Sequence, residues 1–194
     1  MVSVIHLVVQ HVVSELNDYL NLRSPSLAPD RVVLGSLYDV DGNPDASAKE
    51  KVVVSMVNLQ EDRVYHSVDL YEKQPDGSTD VVQPEVRVNL FLLFIANISE
   101  YDESLKALEY VISFFQTRHV FNYASIPQLA DQQGRMVFEL HSMTFEQQNH
   151  LWGSLGSKYQ PSIMYKAGIV NIRDRQLEAQ VQPVQDILIN EQPS

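Results

Sequence analysis

The feature that most constrains this chain is the unbroken apolar run from Leu90 to Ala96. It is too short to cross a bilayer as a helix, which takes about 20 residues. It suits a strand covered on both faces, and such a strand needs a layer of other elements on each side of its sheet. Val52 to Leu59 reads as a second strand whose early positions are apolar on both faces. Val32 to Leu37 is a short strand and Asp39 to Lys49 a polar loop. Arg135 to Phe145 alternates, with Met136, Phe138 and Leu140 facing one way and Glu139 and His141 the other, as a half-exposed strand does.

The covering layers are legible as helices. Ile5, Val8, Val9, Val12, Leu16, Tyr19 and Leu20 recur at the helical period over Val4 to Leu20. Valine is a mediocre helix former, so packing must hold this segment. Ser99 to Asp102 has the form of a capping box. It would open a helix from Asp102 to Thr117 with Leu105, Leu108, Ile112 and Phe115 inward. Arg118 to Gly134 reads as a long connection. Phe145 to Leu155 forms a third helix, Gly156 supplies a left-handed cap, and Pro161 forbids a new helical start before the strand Ser162 to Ile172. Trp152, the single tryptophan, sits where that helix docks on the sheet. Trp152, Tyr159, Pro161 and Tyr165 are expected in the core, since aromatic rings bury the most area per residue.

Val64 to Leu70 and Val81 to Val88 are extended runs around Gln74 to Ser78, whose Pro75, Asp76 and Gly77 have turn chemistry, so a protruding hairpin is expected. Gln176 to Gln182 alternates polar and apolar until Pro183. It can add to another subunit's sheet edge, lie on its own domain's edge, or form a disordered tail. The whole reads as an α+β fold: a mixed, mainly antiparallel β-sheet flanked by helices, with the hairpin and an extended C-terminal arm. Residues 1–174 form the domain and 175–194 the arm.

Composition excludes much chemistry. There is no cysteine, hence no disulfide, thiolate metal site or cysteine nucleophile. The net charge is −11, and residues 1–110 hold 18 of the acids against 8 bases. Nucleic-acid binding needs a basic patch, and none is visible. No secretory leader is evident, because Val2 to Val13 lacks a basic start and is broken by His6, Gln10 and His11. Asp39, Asp41, Asn43, Asp45 and Glu50 have calcium-loop spacing, but the sixth position is Pro44 instead of glycine, and strands rather than helices flank it. No histidine pair has the one-turn spacing of a zinc helix. Ser154 lies between Gly153 and Gly156 but lacks the strand and glycine placement of a nucleophile elbow, and Glu139 and His141 share only a strand face. No catalytic residue, cofactor or metal site is expected.

A set of ordered residues nevertheless resembles a known family. They are Leu16-Asn17-Asp18-Tyr19-Leu20; Val52 to Leu59 with Glu61 and Asp62; Val88 to Asn97; Tyr101, Ser104 and Leu105; and Phe114-Phe115-Gln116. Leu151-Trp152, Leu155-Gly156, Tyr159-Gln160-Pro161-Ser162 and Tyr165-Lys166 complete the set. Over roughly residues 2–172 the chain resembles the tail-terminator, or cap, proteins of extracellular contractile injection systems of the antifeeding-prophage kind, relatives of contractile phage tail terminators. The resemblance implies a hexameric ring that ends growth of the inner tube and locks the last sheath layer. Its partners would be copies of itself, sheath and tube subunits, with no nucleic acid and no membrane. It would be made in the cytoplasm and released as part of a particle. Val64, Tyr65, Val68, Val81, Val82, Leu177, Ala179 and Val181 are the residues expected to make strand contacts in such an assembly. Two alternatives remain beside it: a monomeric adaptor or cargo-binding protein of the same particle using its acidic first half, and a small hydrolase using Ser154, His141 or Glu139.

Overall fold

A computed structural model of the chain describes residues 3–23, 30–62, 71–73, 79–81, 86–172 and 179–181. In chain order the elements are helix α1 (Val4–Arg23), strands β1 (Val32–Leu34), β2 (Lys51–Glu61), β3 (Tyr71–Lys73), β4 (Thr79–Val81) and β5 (Val86–Asn97), and helix α2 (Tyr101–Thr117). Strands β6 (Val120–Asn122) and β7 (Arg135–His141), helix α3 (Phe145–Ser154), and strands β8 (Ser162–Ile172) and β9 (Ala179–Val181) follow. The main sheet has six strands in the order β1-β2-β5-β8-β7-β6. Among the described residues only β1 and β2 run parallel; the other pairings of this sheet are antiparallel. A second, three-stranded sheet has the order β3-β4-β9. The fold is α+β, as its alternating helix and strand patterns predict.

The apolar run occupies the middle of β5 and feeds two layers. Leu90, Leu92 and Phe94 point to one face, with Val52 and Val54 of β2 and Met136, Phe138, Tyr165 and Ala167 of β7 and β8. Helices α1 and α2 cover that face with Val8, Val12, Leu16, Val111, Phe114 and Phe115. The Phe115 ring lies 4.3 Å from Tyr165, 4.8 Å from Phe138 and 5.4 Å from Phe94, centroid to centroid. Leu93 and Ile95 point the other way, where Val53, Met164, Leu37, Ala48 and Trp152 form a smaller core beneath α3.

Three local expectations need correction. The buried stripe of α2 is Ser104, Ala107, Leu108, Val111, Phe114 and Phe115, whereas Leu105 is exposed. Ser104 can be buried on that stripe because its hydroxyl donates to the Ile98 and Glu100 carbonyls. No capping box opens α2. Its N-cap residue is Glu100, whose side chain makes no cap bond, and the Ser99 hydroxyl donates to Glu50 instead. The connection after α2 contains a strand, β6, which sends Phe121 into the core and pairs with β7.

One side chain ties the helical layer to the sheet edge. Asn17 of α1 donates from its amide to the Val32 carbonyl at 2.9 Å and accepts from the Arg31 and Val32 N–H groups, both at 2.9 Å. Both Arg31 and Val32 are buried, so those backbone groups depend on Asn17 for satisfaction. Asn17→Ala should lower stability by about 2 kcal/mol. Urea unfolding should register this as a lower midpoint with an unchanged slope.

Candidate functional site

The acidic loop is organised around its own backbone. Asp39 accepts from the N–H groups of Asp41 at 2.9 Å and Asn43 at 2.8 Å, with Gly42 at φ +82° completing the turn. Asp45 caps a short 3-10 turn by accepting from the Ser47 N–H at 2.8 Å, and hydrogen bonding from the Ser47 side chain, with that N–H, holds its carboxyl below the usual carboxylate range. Glu50 turns away to Ser99, which donates to it through both hydroxyl and N–H. These bonds lower the Glu50 carboxyl from its ordinary value. The Asp39, Asp45 and Glu50 carboxylates are thus engaged separately, and no group of three or more metal-ligating side chains occurs among the described residues.

The residues considered for hydrolysis do not converge. The Ser154 hydroxyl donates to the His150 carbonyl one helical turn back, at 2.9 Å. Glu139 meets Lys166, its cross-strand partner, at 3.3 Å. The His141 ring packs edge-on against Phe91 with 5.1 Å between centroids. Burial pushes the Tyr123 hydroxyl up to about 12 and raises that of Tyr165, so both stay protonated near neutrality.

The junction of α3 and β8 is built with care. Thr144 and Gln147 form a reciprocal capping box at the start of α3. At its end the Ser157 N–H reaches the Trp152 carbonyl at 3.4 Å and the Gly156 N–H reaches Gly153 at 3.2 Å, the paired bonds of a Schellman motif, with Gly156 at φ +63°. Trp152 is buried in the core under α3, and Tyr165 is buried on the opposite face of the sheet. Pro161 is half-buried. Tyr159, expected in the core, is 60% exposed; its ring lies edge-on against Trp152 and roofs the junction from outside.

Of the expected contact residues, Val64, Tyr65, Val68, Val82 and Leu177 lie outside the described residues. Val81, Ala179 and Val181 pair within the chain: Val81 stands opposite Ala179, and Thr79 opposite Val181. The arm strand therefore completes a small sheet with the chain's own hairpin.

Sequence reasoning missed a more exposed feature, the outer edge of β2. β1 pairs with β2 only from Val52 to Val54. The chain then departs at Gly35, whose carbonyl accepts from the Ser55 hydroxyl. From Met56 to Gln60 no described strand pairs with that side of β2. On its other side, a bulge at Val57 leaves Met56 opposite Leu92 and Leu59 opposite Leu90. Met56 and Leu59 therefore share the helix-covered face, yet they are 54% and 47% exposed, next to Leu34 at 42%. The strands read from the sequence, Val32 to Leu37 and Val52 to Leu59, gave no sign of it; β1 is shorter and β2 longer than that reading.

The family described as the Pvc16 N-terminal domain matches residues 7–186. The chain belongs to that family. The match reaches past residue 172, where the resemblance read from the sequence stopped, and takes in part of the arm. Among solved structures, the cryo-EM structure of the anti-feeding prophage cap, described as its tube terminating cap, aligns with a TM-score of 0.57 at 16% identity. That alignment covers 92% of this chain and 61% of the cap chain. The sheath/tube terminator of the PVC extracellular contractile injection system in its extended state aligns at 0.49 and 13% identity, over 93% of this chain and 63% of that one. This Pvc16-family chain thus spans less than two thirds of either protein. No curated protein sequence matches it significantly. At such identities the likeness is one of fold.

Two measurements check the local readings. Gly156→Ala meets open space but strains a left-handed position, so it should cost about 1 kcal/mol in urea unfolding. Ser99→Ala should return the Glu50 carboxyl upward toward its ordinary value, read by NMR titration of its side chain. A lowered carboxyl contributes stability that is present above its unfolded value and lost as pH falls through the folded one. The variant should therefore show weaker acid sensitivity in the carboxylate range.

Proposed function

We propose that this Pvc16-family chain is a structural cap of a contractile injection system. The observation that carries this reading is its fold, which follows the anti-feeding prophage tube terminating cap over 92% of the chain. Family membership over residues 7–186 supports it. So does the separation of every acid, base and nucleophile considered above, each of which is engaged with backbone, a cross-strand partner or an aromatic ring.

In this reading the protein binds and shapes, and turns over no substrate. Residues 1–174 form the ring-building body and 175–194 the arm. Copies join head-to-tail, and such a contact closes into a ring when its rotation closes; six copies match the symmetry that the resemblance implies. Capping follows from asymmetry. A subunit complementary to the last layer of tube, but offering no tube-like face beyond, ends growth there. The hairpin and arm carry the sheath contact through main-chain hydrogen bonds, which demand little of side chains. Val64, Tyr65, Val68, Val82 and Leu177 belong to this surface, with the outer edges of β3 and β9 flanking Val81, Ala179 and Val181. The protein is made in the cytoplasm and leaves with the particle; no helix among the described residues is long and apolar enough to cross a membrane.

Particles produced without this chain should have inner tubes of uncontrolled length and a frayed sheath at the upper end, visible by electron microscopy. Particles of normal length with an intact upper rim would refute the cap role.

A further inference from the structure

We infer that the junction of α3 and β8 binds an internal water molecule, held by the side chains of Trp152, Gln160 and Ser162. The site lies apart from the surfaces named in the cap reading and does not depend on it.

Three side-chain atoms at this junction, Trp152 Nε1, Gln160 Oε1 and Ser162 Oγ, are shut off from bulk solvent and have no hydrogen-bond partner among the described residues. Such atoms are uncommon in folded proteins, because a polar group taken out of water without a partner forfeits its hydration. Internal waters serve groups of this kind, with two to four bonds each.

The fold places the three side chains in one layer. Trp152 is 5% exposed and shares the small core beneath α3 with Ile95 and Met164. Ser162 stands opposite Ile95 in the ladder and two residues before Met164 on β8, so it shares their face of the sheet. Its two neighbours on that face are therefore both members of the Trp152 core. Gln160 precedes Pro161, which favours an extended backbone there, and the Pro161 carbonyl accepts from the Ala96 N–H at 3.0 Å. Gln160 and Ser162 thus leave the chain on the same side. Tyr159, immediately before them, lies edge-on to Trp152 with 5.7 Å between centroids and covers the junction from outside.

The three atoms are complementary to one small guest. An indole N–H only donates, an amide oxygen only accepts, and a hydroxyl does both. The donor and the acceptor do not bond to each other. A molecule that accepts from the indole and donates to the amide oxygen joins them, and its third bond goes to the Ser162 hydroxyl in either sense. Water does this with about three bonds, the usual number inside a protein. The surrounding side chains of the small core, Leu37, Val53 and Leu93 among them, are apolar, so a larger polar guest would leave its own groups unpaired.

Trp152 is the single tryptophan, so its indole N–H gives one NMR signal free of overlap. In the isotope-labelled full-length protein, a rotating-frame Overhauser experiment should show a cross-peak between that proton and water, with the sign of a bound water and not of chemical exchange. Two variants then separate a water from the serine hydroxyl itself. Ser162→Ala keeps the space and two of the three partners, so the cross-peak should survive. Ser162→Val fills the space, so the cross-peak should vanish while the circular dichroism spectrum is kept. No cross-peak in the unsubstituted protein overturns the inference. Loss in both variants traces the signal to the hydroxyl, and survival in both places the water elsewhere; either result also overturns it. A crystal structure of the unsubstituted protein decides without any variant: a density peak within about 3 Å of at least two of the three atoms is expected, and direct bonds from those atoms to protein groups, with no such peak, would refute the site.

Discussion

The two-sided burial of β5 is the constraint on which the rest of the structure depends. Every second residue of Leu90 to Ala96 enters the large core under α1 and α2, and the intervening ones enter the small core under α3. A strand of that kind tolerates no register slip, because moving by one residue would exchange the contents of two layers of unequal size. The large layer takes Phe94 into an aromatic cluster with Phe115 and Tyr165; the small one takes Leu93 and Ile95 beside Trp152. The positions of β2 and β8, and with them the edges available for assembly, follow from where β5 is fixed.

Much of this was legible in the sequence, and the misses share a cause. Long periodic signals located α1, β2, β5, α3 and β8, since each depends on many residues agreeing. The errors fell where a few residues decide among local partners. Ser99 looked like a cap, but a carboxylate 49 residues earlier in the chain, Glu50, takes its hydroxyl instead. Leu105 looked inward because large apolar residues dominate a periodicity count, although the buried stripe runs through Ser104 and Ala107 instead. Tyr159 was counted as core for its size; it covers Trp152 from the solvent side, as an amphipathic ring can. β6 is only three residues long and carries no pattern of its own.

The candidate surface was partly legible for the same reason. The alternation around Ala179 marks a strand, and the structure gives that strand a partner in the chain's own hairpin. That no described strand pairs with β2 beyond Val54 on that side is invisible to any reading of β2 alone, because it follows from the early departure of β1 at Gly35. The Ser154 hydroxyl, the Glu139 carboxylate and the His141 ring are each committed to separate structural contacts.

The small sheet of β3, β4 and β9 joins residues about a hundred positions apart in the chain. Such distant pairings form slowly, and chains emerge from the ribosome N-terminus first. Thr79–Val81 must therefore wait for Ala179–Val181 before its ladder can close, long after the main sheet's inner strands have been synthesised. The small sheet is therefore the part of the fold that closes last, after the main sheet's inner strands already exist.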